Sequence, residues 1–136
     1  MPINTKVCGV KGVIIMNAKP RLEKDCDKLF ADIVKLRAKG RCQLIGCTLA
    51  GVHAHHIARR GGNVRWFIDN GIYLCVFHHA HDYESDMNRE IIKAIGISKF
   101  KELEAMSWII RQWKQADLKI LKSDLTEILK NSKEVK

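Results

Sequence analysis

The chain has 136 residues, 46% of them hydrophobic, and lysine plus arginine exceed aspartate plus glutamate by 24 to 15, a formal charge of +9. This length suits one compact domain, or a small catalytic module with helical extensions, and with two prolines no long disordered tract is expected. No apolar run approaches the roughly 18 residues of a membrane span, and VIIM at 13–16 is too short for a secretory core, which excludes a spanning segment and implies a cytoplasmic location.

In chain order, residues 1–25 form an extension in which VCGV, Lys11-Gly12 and VIIM pattern a short β-hairpin. Cys26, Leu29, Phe30, Ile33 and Leu36 then recur at helical spacing, predicting a helix over 26–40 that Gly40 stops. Cys26 falls on the apolar stripe and reads as core, while Cys8 has no assigned role.

The segment 41–85 differs in character, holding three of the five cysteines and all six histidines. Within it, 52–57 and 71–76 read as short strands of a hairpin, joined by a polar loop with Arg59, Arg60, Gly61, Gly62 and Asn63. Trp66 and Phe67 follow in that loop region, where they either pack in the core or stack on an unpaired base.

From residue 86 to 136 helical periodicity returns. Ser98 is the expected N-cap of a stripe of Leu103, Met106, Ile110 and Trp113, with Trp108 and Trp113 in the core. A second stripe, Leu118, Leu121, Leu125 and Ile128, is out of register with the first, so the chain is expected to bend within 114–117. That stripe packs on its own core or forms the seam of a homodimer.

In a reducing compartment, five cysteines are tested for metal ligation before disulfide pairing. Cys42 and Cys47 are separated by four residues across a Gly46 turn, and Cys75 and His78 form a C-x2-H pair some 30 residues later. Two short-spaced ligand pairs joined by a long loop match the way structural zinc is held, each pair supplying one side of a tetrahedron. Buried thiols are the competing reading.

Five histidines remain: His53, His55 and His56 on one strand, His79 and His81 after the other. Burying so many together carries repeated desolvation costs, so ligation and acid–base chemistry explain them more economically than packing. On an extended strand His55 and His56 point to opposite faces, which lets one bind a metal while its neighbour addresses a water. Phosphodiester hydrolysis needs such a base together with positive charge on the phosphate, and the net charge favours a polyanionic partner.

The segments AHHIARRGG, DNGIYLC and HHAH resemble, in order and spacing, the HNH motif of ββα-metal nucleases. The flanking KLFADIVKLRAKGRCQ, GISKFKELEAMS and DLKILKSDLTEILK are similar to the phage recombination nucleases of the Rap (NinG) group, a resemblance covering roughly residues 26–130. It implies an α+β fold: a small ββα-metal core stapled by zinc, with a helix before it and helices after it. It implies His55 and His79 as ligands of a catalytic divalent cation (magnesium, manganese, nickel or zinc), His81 as a further ligand with Tyr83 as the alternative, His56 as general base, and Asn70 steadying the loop. His53 shares the face of His55 and either assists there or is structural.

The expected activity is metal-dependent endonucleolytic hydrolysis of duplex or branched DNA in phage-type recombination or DNA processing, leaving a 5' phosphate and a 3' hydroxyl. Arg59 and Arg60 are placed to contact DNA phosphates, or are merely solvated. A zinc-stabilised DNA-binding module without catalysis is the alternative; it explains the cysteines and the charge but gives the doublet and Asn70 no purpose.

Overall fold

The computed structural model describes residues 18–58, 62–80 and 84–134; the expected N-terminal hairpin lies outside them, as do Cys8, Arg59, Arg60, His81 and Tyr83. Helix α1 spans Ala18–Arg37 and buries Leu22, Cys26, Phe30, Ile33 and Val34, a stripe at the three- and four-residue spacing of one helix face. It begins eight residues before the expected start at 26. Its first two turns carry only one buried apolar residue, Leu22, which joins Leu118 and Leu125 in one core cluster, so a contact distant in sequence extends the helix. Lys39 and Gly40, both at positive φ (57° and 74°), end it, and the Gly40 N–H returns to the Lys35 carbonyl.

A two-stranded antiparallel sheet follows, with β1 at His53–His56 and β2 at Gly71–Leu74, both shorter than the sequence predicted. The register pairs His53 with Leu74, Ala54 with Tyr73, His55 with Ile72 and His56 with Gly71. Directly paired residues share a face, so His53 and His55 lie with Ile72 and Leu74, whereas Ala54 and His56 lie with Tyr73 and Gly71 on the side of α1. All of β2 is buried, because each of its faces belongs to a different core.

One core joins α1, Trp66 and Tyr73 to Leu118 and Leu125. The other gathers Cys42, Leu44, Ile57, Ile72, Leu74 and Cys75 with Met87, Ile91 and Leu103. Gly71 marks the closest approach of α1 to the sheet: a β-carbon there would overlap Val34 and come within 2.8 Å of Phe30 Cζ. Arg37 pins the same junction by donating to the carbonyls of Gly71 at 2.7 Å and Ile68 at 3.2 Å.

Two 3₁₀ turns, Gly62–Val64 and Ile68–Asn70, connect the strands. After β2 come α2 at Val76–Ala80, α3 at Glu84–Ile95, α4 at Ile97–Ser107 and α5 at Gln115–Glu134. The described residues thus combine five α-helices with one small sheet. None of these helices is long and apolar enough to cross a membrane.

Three expectations for this half of the chain are corrected. Gly96, at φ 94°, precedes the first residue of α4, so Ser98 lies inside the helix and is not its cap. The first apolar stripe stops at Ser107, leaving Ile110 89% and Trp108 66% exposed outside the core. The break is also wider than 114–117, because no helix covers 108–114. Trp113 does reach the core, edge-on to Trp66 with ring centroids 5.1 Å apart. Asp117 accepts the Lys114 N–H at 3.0 Å and so starts α5, whose Leu118 and Leu125 pack against α1, while Ile128 stays exposed.

Candidate functional site

The cysteine cluster is built where the second core meets the β2–α2 junction. Cys42 and Cys47 flank a turn closed by the Cys47 N–H on the Leu44 carbonyl at 3.1 Å, with Gly46 at φ 83°, while Cys75 follows β2 and His78 sits in α2. The ligand atoms of these four residues all lie within 4.8 Å of one another. His78 Nδ1 is 3.2 Å from Cys75 Sγ and 3.5 Å from Cys42 Sγ, and Cys47 Sγ is 3.9 Å from Cys75 Sγ.

A zinc–sulfur bond of about 2.3 Å and a zinc–nitrogen bond of about 2.0–2.1 Å give tetrahedral edges of roughly 3.8 Å between sulfurs and roughly 3.6 Å between sulfur and nitrogen. The separations sit close to those edges, so Cys42, Cys47, Cys75 and His78 can hold one metal ion. Burial pushes the Cys75 thiol up, but hydrogen bonds from the His78 and Phe77 backbone and from the Cys47 and Cys42 thiols outweigh it and hold its pKa below the ordinary thiol value. Cys42 is displaced the other way, chiefly by burial, with the neighbouring Cys47 adding to the rise.

The histidines divide between the two faces of β1. On the face of Ile72 and Leu74, the His53 ring stacks on His79 with centroids 3.9 Å apart and planes 25° apart. Burial lowers the His53 pKa first, and the charges of His79 and His55 lower it further. An imidazole lone pair lies in its ring plane, so rings stacked in this way cannot share one cation. Among the described residues the Cys3His set is the only group of three or more donors close enough to hold a metal. His53, His55 and His79 are brought to one region without forming a second such set.

His56 occupies the opposite face. Its ring lies flat against Phe30 of α1, with centroids 4.8 Å apart and planes 5° apart, and its Nε2 is 2.9 Å from the Arg65 carbonyl oxygen. A carbonyl can only accept, so Nε2 carries the hydrogen, and in the neutral ring the lone pair is on Nδ1. The Arg65 position is itself held: its guanidinium donates to Asp27 at 2.9 and 3.2 Å, and Trp66 Nε1 donates to the same carboxylate at 2.8 Å.

Asn70 is fully buried and ties the loop across the strands. Its Oδ1 accepts the Ala58 N–H at 2.7 Å, and its Nδ2 donates to the carbonyls of Ala58 and Val64 at 3.3 and 3.2 Å. Of the two loop aromatics, Trp66 is buried in the core and Phe67 is partly exposed. Sequence reasoning missed Phe30, Asp27 and Arg65 as parts of this site. Nothing local marks them, since Asp27 and Arg65 meet across 38 residues of chain.

Comparison with protein-family models, curated proteins and solved structures gives no match for this chain.

Proposed function

We propose that this chain is a metal-dependent endonuclease of the HNH type that hydrolyses DNA phosphodiester bonds, in phage-type recombination or DNA processing. The observation that carries the reading is the division of the His55–His56 doublet: His55 shares a strand face with His53, near His79, while His56 is turned to the other face and fixed in one tautomer. A proton acceptor held on two sides is what a general base requires, and the Phe30 ring with the Arg65 carbonyl holds His56 in that way. The buried Asn70, bonded to Ala58 two residues beyond His56, fits the loop-steadying part that the motif resemblance gives it.

In this proposal His56 Nδ1 takes the proton of the attacking water, and the Arg65 carbonyl stabilises the imidazolium that forms by keeping its bond to Nε2–H. Phe30 fixes the ring plane during this transfer. His55 and His79, with His81, are the residues that would hold a divalent cation, which supplies positive charge at the scissile phosphate. Arg59 and Arg60 are assigned to DNA phosphates.

Cys42, Cys47, Cys75 and His78 are assigned to structural zinc, because four protein ligands close the tetrahedron and leave no position for substrate. The zinc would tie the 42–47 turn to the β2–α2 junction and so fix the strand that pairs with the doublet.

The test is incubation of plasmid and branched DNA with the purified protein and magnesium, manganese or nickel. Metal-dependent cleavage leaving 5' phosphates is expected. DNA binding without cleavage under all three metals would instead support a zinc-stabilised DNA-binding module.

A further inference from the structure

The loop that carries the Arg65 carbonyl has no sheet to hold it; Arg65 lies between the two 3₁₀ turns. Asn70 ties the preceding Val64 carbonyl, and what fixes the Arg65 side chain comes from α1. Asp27 Oδ2 accepts from the Arg65 guanidinium at 2.9 Å, and Asp27 Oδ1 accepts both from Arg65 Nε at 3.2 Å and from Trp66 Nε1 at 2.8 Å. Glu23, one turn earlier on the helix, adds a weaker ion pair to Arg65 at 3.7 Å. The guanidinium also lies 4.5 Å from the centre of the Trp66 ring.

Two consecutive side chains of the loop are therefore locked onto one carboxylate, and the carbonyl of the first points at His56 Nε2. The same helix supplies the Phe30 ring three residues further on, against the His56 imidazole. Arg65 itself is held between acidic partners and is only 24% exposed, so its charge is committed to the fold and not available to a DNA phosphate. A forked, charge-assisted pair resists rotation far better than one bond, because both the distance and the plane of the guanidinium are set.

We infer that Asp27 is a positioning residue for His56, acting through Arg65 to hold the backbone carbonyl that keeps hydrogen on Nε2 and the lone pair on Nδ1. The inference rests on the proposed role of His56 as base. With the carboxylate in place, the Arg65 carbonyl stays within hydrogen-bond reach of His56 Nε2; without it, the loop turns, the acceptor is lost, and His56 samples both tautomers.

The experiment compares the full-length, zinc-loaded protein with Asp27→Asn, which keeps the shape and an acceptor for Trp66 but removes the charge that holds Arg65. Arg65→Lys is a second variant, which keeps the charge and the backbone carbonyl but not the fork. Two readouts are taken on each: the ¹⁵N chemical shifts of the His56 ring, which report its tautomer, and kcat and KM for plasmid cleavage. Wild type should show a single Nε2–H tautomer. Asp27→Asn should show averaged ring shifts and a kcat reduced about tenfold with KM within about twofold, part of the 10²–10⁴ that a general base supplies.

Arg65→Lys should fall between the two, and it decides the question if Asp27→Asn does not fold. Unchanged ring shifts and unchanged kcat in a folded variant would overturn the inference. So would a rise in KM alone, which would mean that Arg65 meets DNA. Absence of cleavage by wild type would instead defeat the nuclease reading, while the tautomer readout would still decide whether Asp27 positions His56.

Discussion

Replacing Asn70 by alanine removes three hydrogen bonds from a fully buried site: one accepted from the Ala58 N–H and two donated to the Ala58 and Val64 carbonyls. The Val64 carbonyl keeps the Phe67 N–H, so it is the Ala58 N–H and carbonyl that lose a partner, at about 1–3 kcal/mol each; adding the lost packing of the vacated space and subtracting what entering water recovers, the loss is roughly 3–5 kcal/mol. At about 3–4 °C per kcal/mol for a chain of this size, the melting temperature should fall by roughly 10–20 °C. The assay is thermal unfolding followed by circular dichroism at fixed free zinc, since a bound metal would otherwise make the midpoint depend on its concentration.

Asn70→Asp is the sharper control. It keeps the acceptor for the Ala58 N–H but sets a carboxylate against two carbonyls, and should be at least as destabilising near neutral pH. Burial favours the protonated form of the carboxyl it introduces, so its folded-state pKa is raised above the unfolded one. The deficit relative to wild type should then shrink as pH falls below the folded value and be complete above it. A fall of less than about 2–3 °C, under about 1 kcal/mol, in Asn70→Ala would mean that the three bonds contribute nothing net.

Gly71→Ala should destabilise by about 1–3 kcal/mol, as overpacking does, and should disturb His56 through Phe30; this would be read as a lowered melting temperature together with shifted His56 ring resonances. Elemental analysis after dialysis should give one zinc per chain, and Cys47→Ser or a strong chelator should abolish cooperative unfolding; folded protein with substoichiometric zinc would contradict the Cys3His assignment. Burial, aided by the charges of Asp27 and Asp25, pushes the Cys26 thiol up to about 11 from 9.0, so iodoacetamide at pH 8 should leave it unmodified in the folded protein. Because the folded-state value is the higher one, the stability this thiol contributes is present below about pH 9 and is lost as pH rises through about 11.

The parts of the site legible in the sequence are those written in short spacings. Cys42 with Cys47 and Cys75 with His78 are local pairs, so their meeting was foreseeable once each was seen as half of a tetrahedron. The opposite orientation of His55 and His56 follows from strand alternation and is what the register shows. Gly40 ends α1 because its positive φ is available to glycine at little cost.

Long-range partners decided what was missed. The first turns of α1 look polar on their own, and Leu22 finds its core in a cluster that includes Leu118 and Leu125, far along the chain. Trp108 and Ile110 extend a helical spacing that the chain abandons at Ser107, so a periodic pattern outran the helix that should carry it. Asp27 lies within the stretch predicted as helix but has no distinguishing neighbours; its pairing with Arg65 and Trp66 exists only after α1 docks on the loop.

The role of His56 as general base is tested by the single-turnover rate of plasmid cleavage by His56→Ala against wild type, with DNA affinity measured in parallel. A rate lower by about 10²–10⁴ is expected, with affinity and zinc content unchanged. Cleavage at the wild-type rate by the folded, zinc-loaded variant would contradict it.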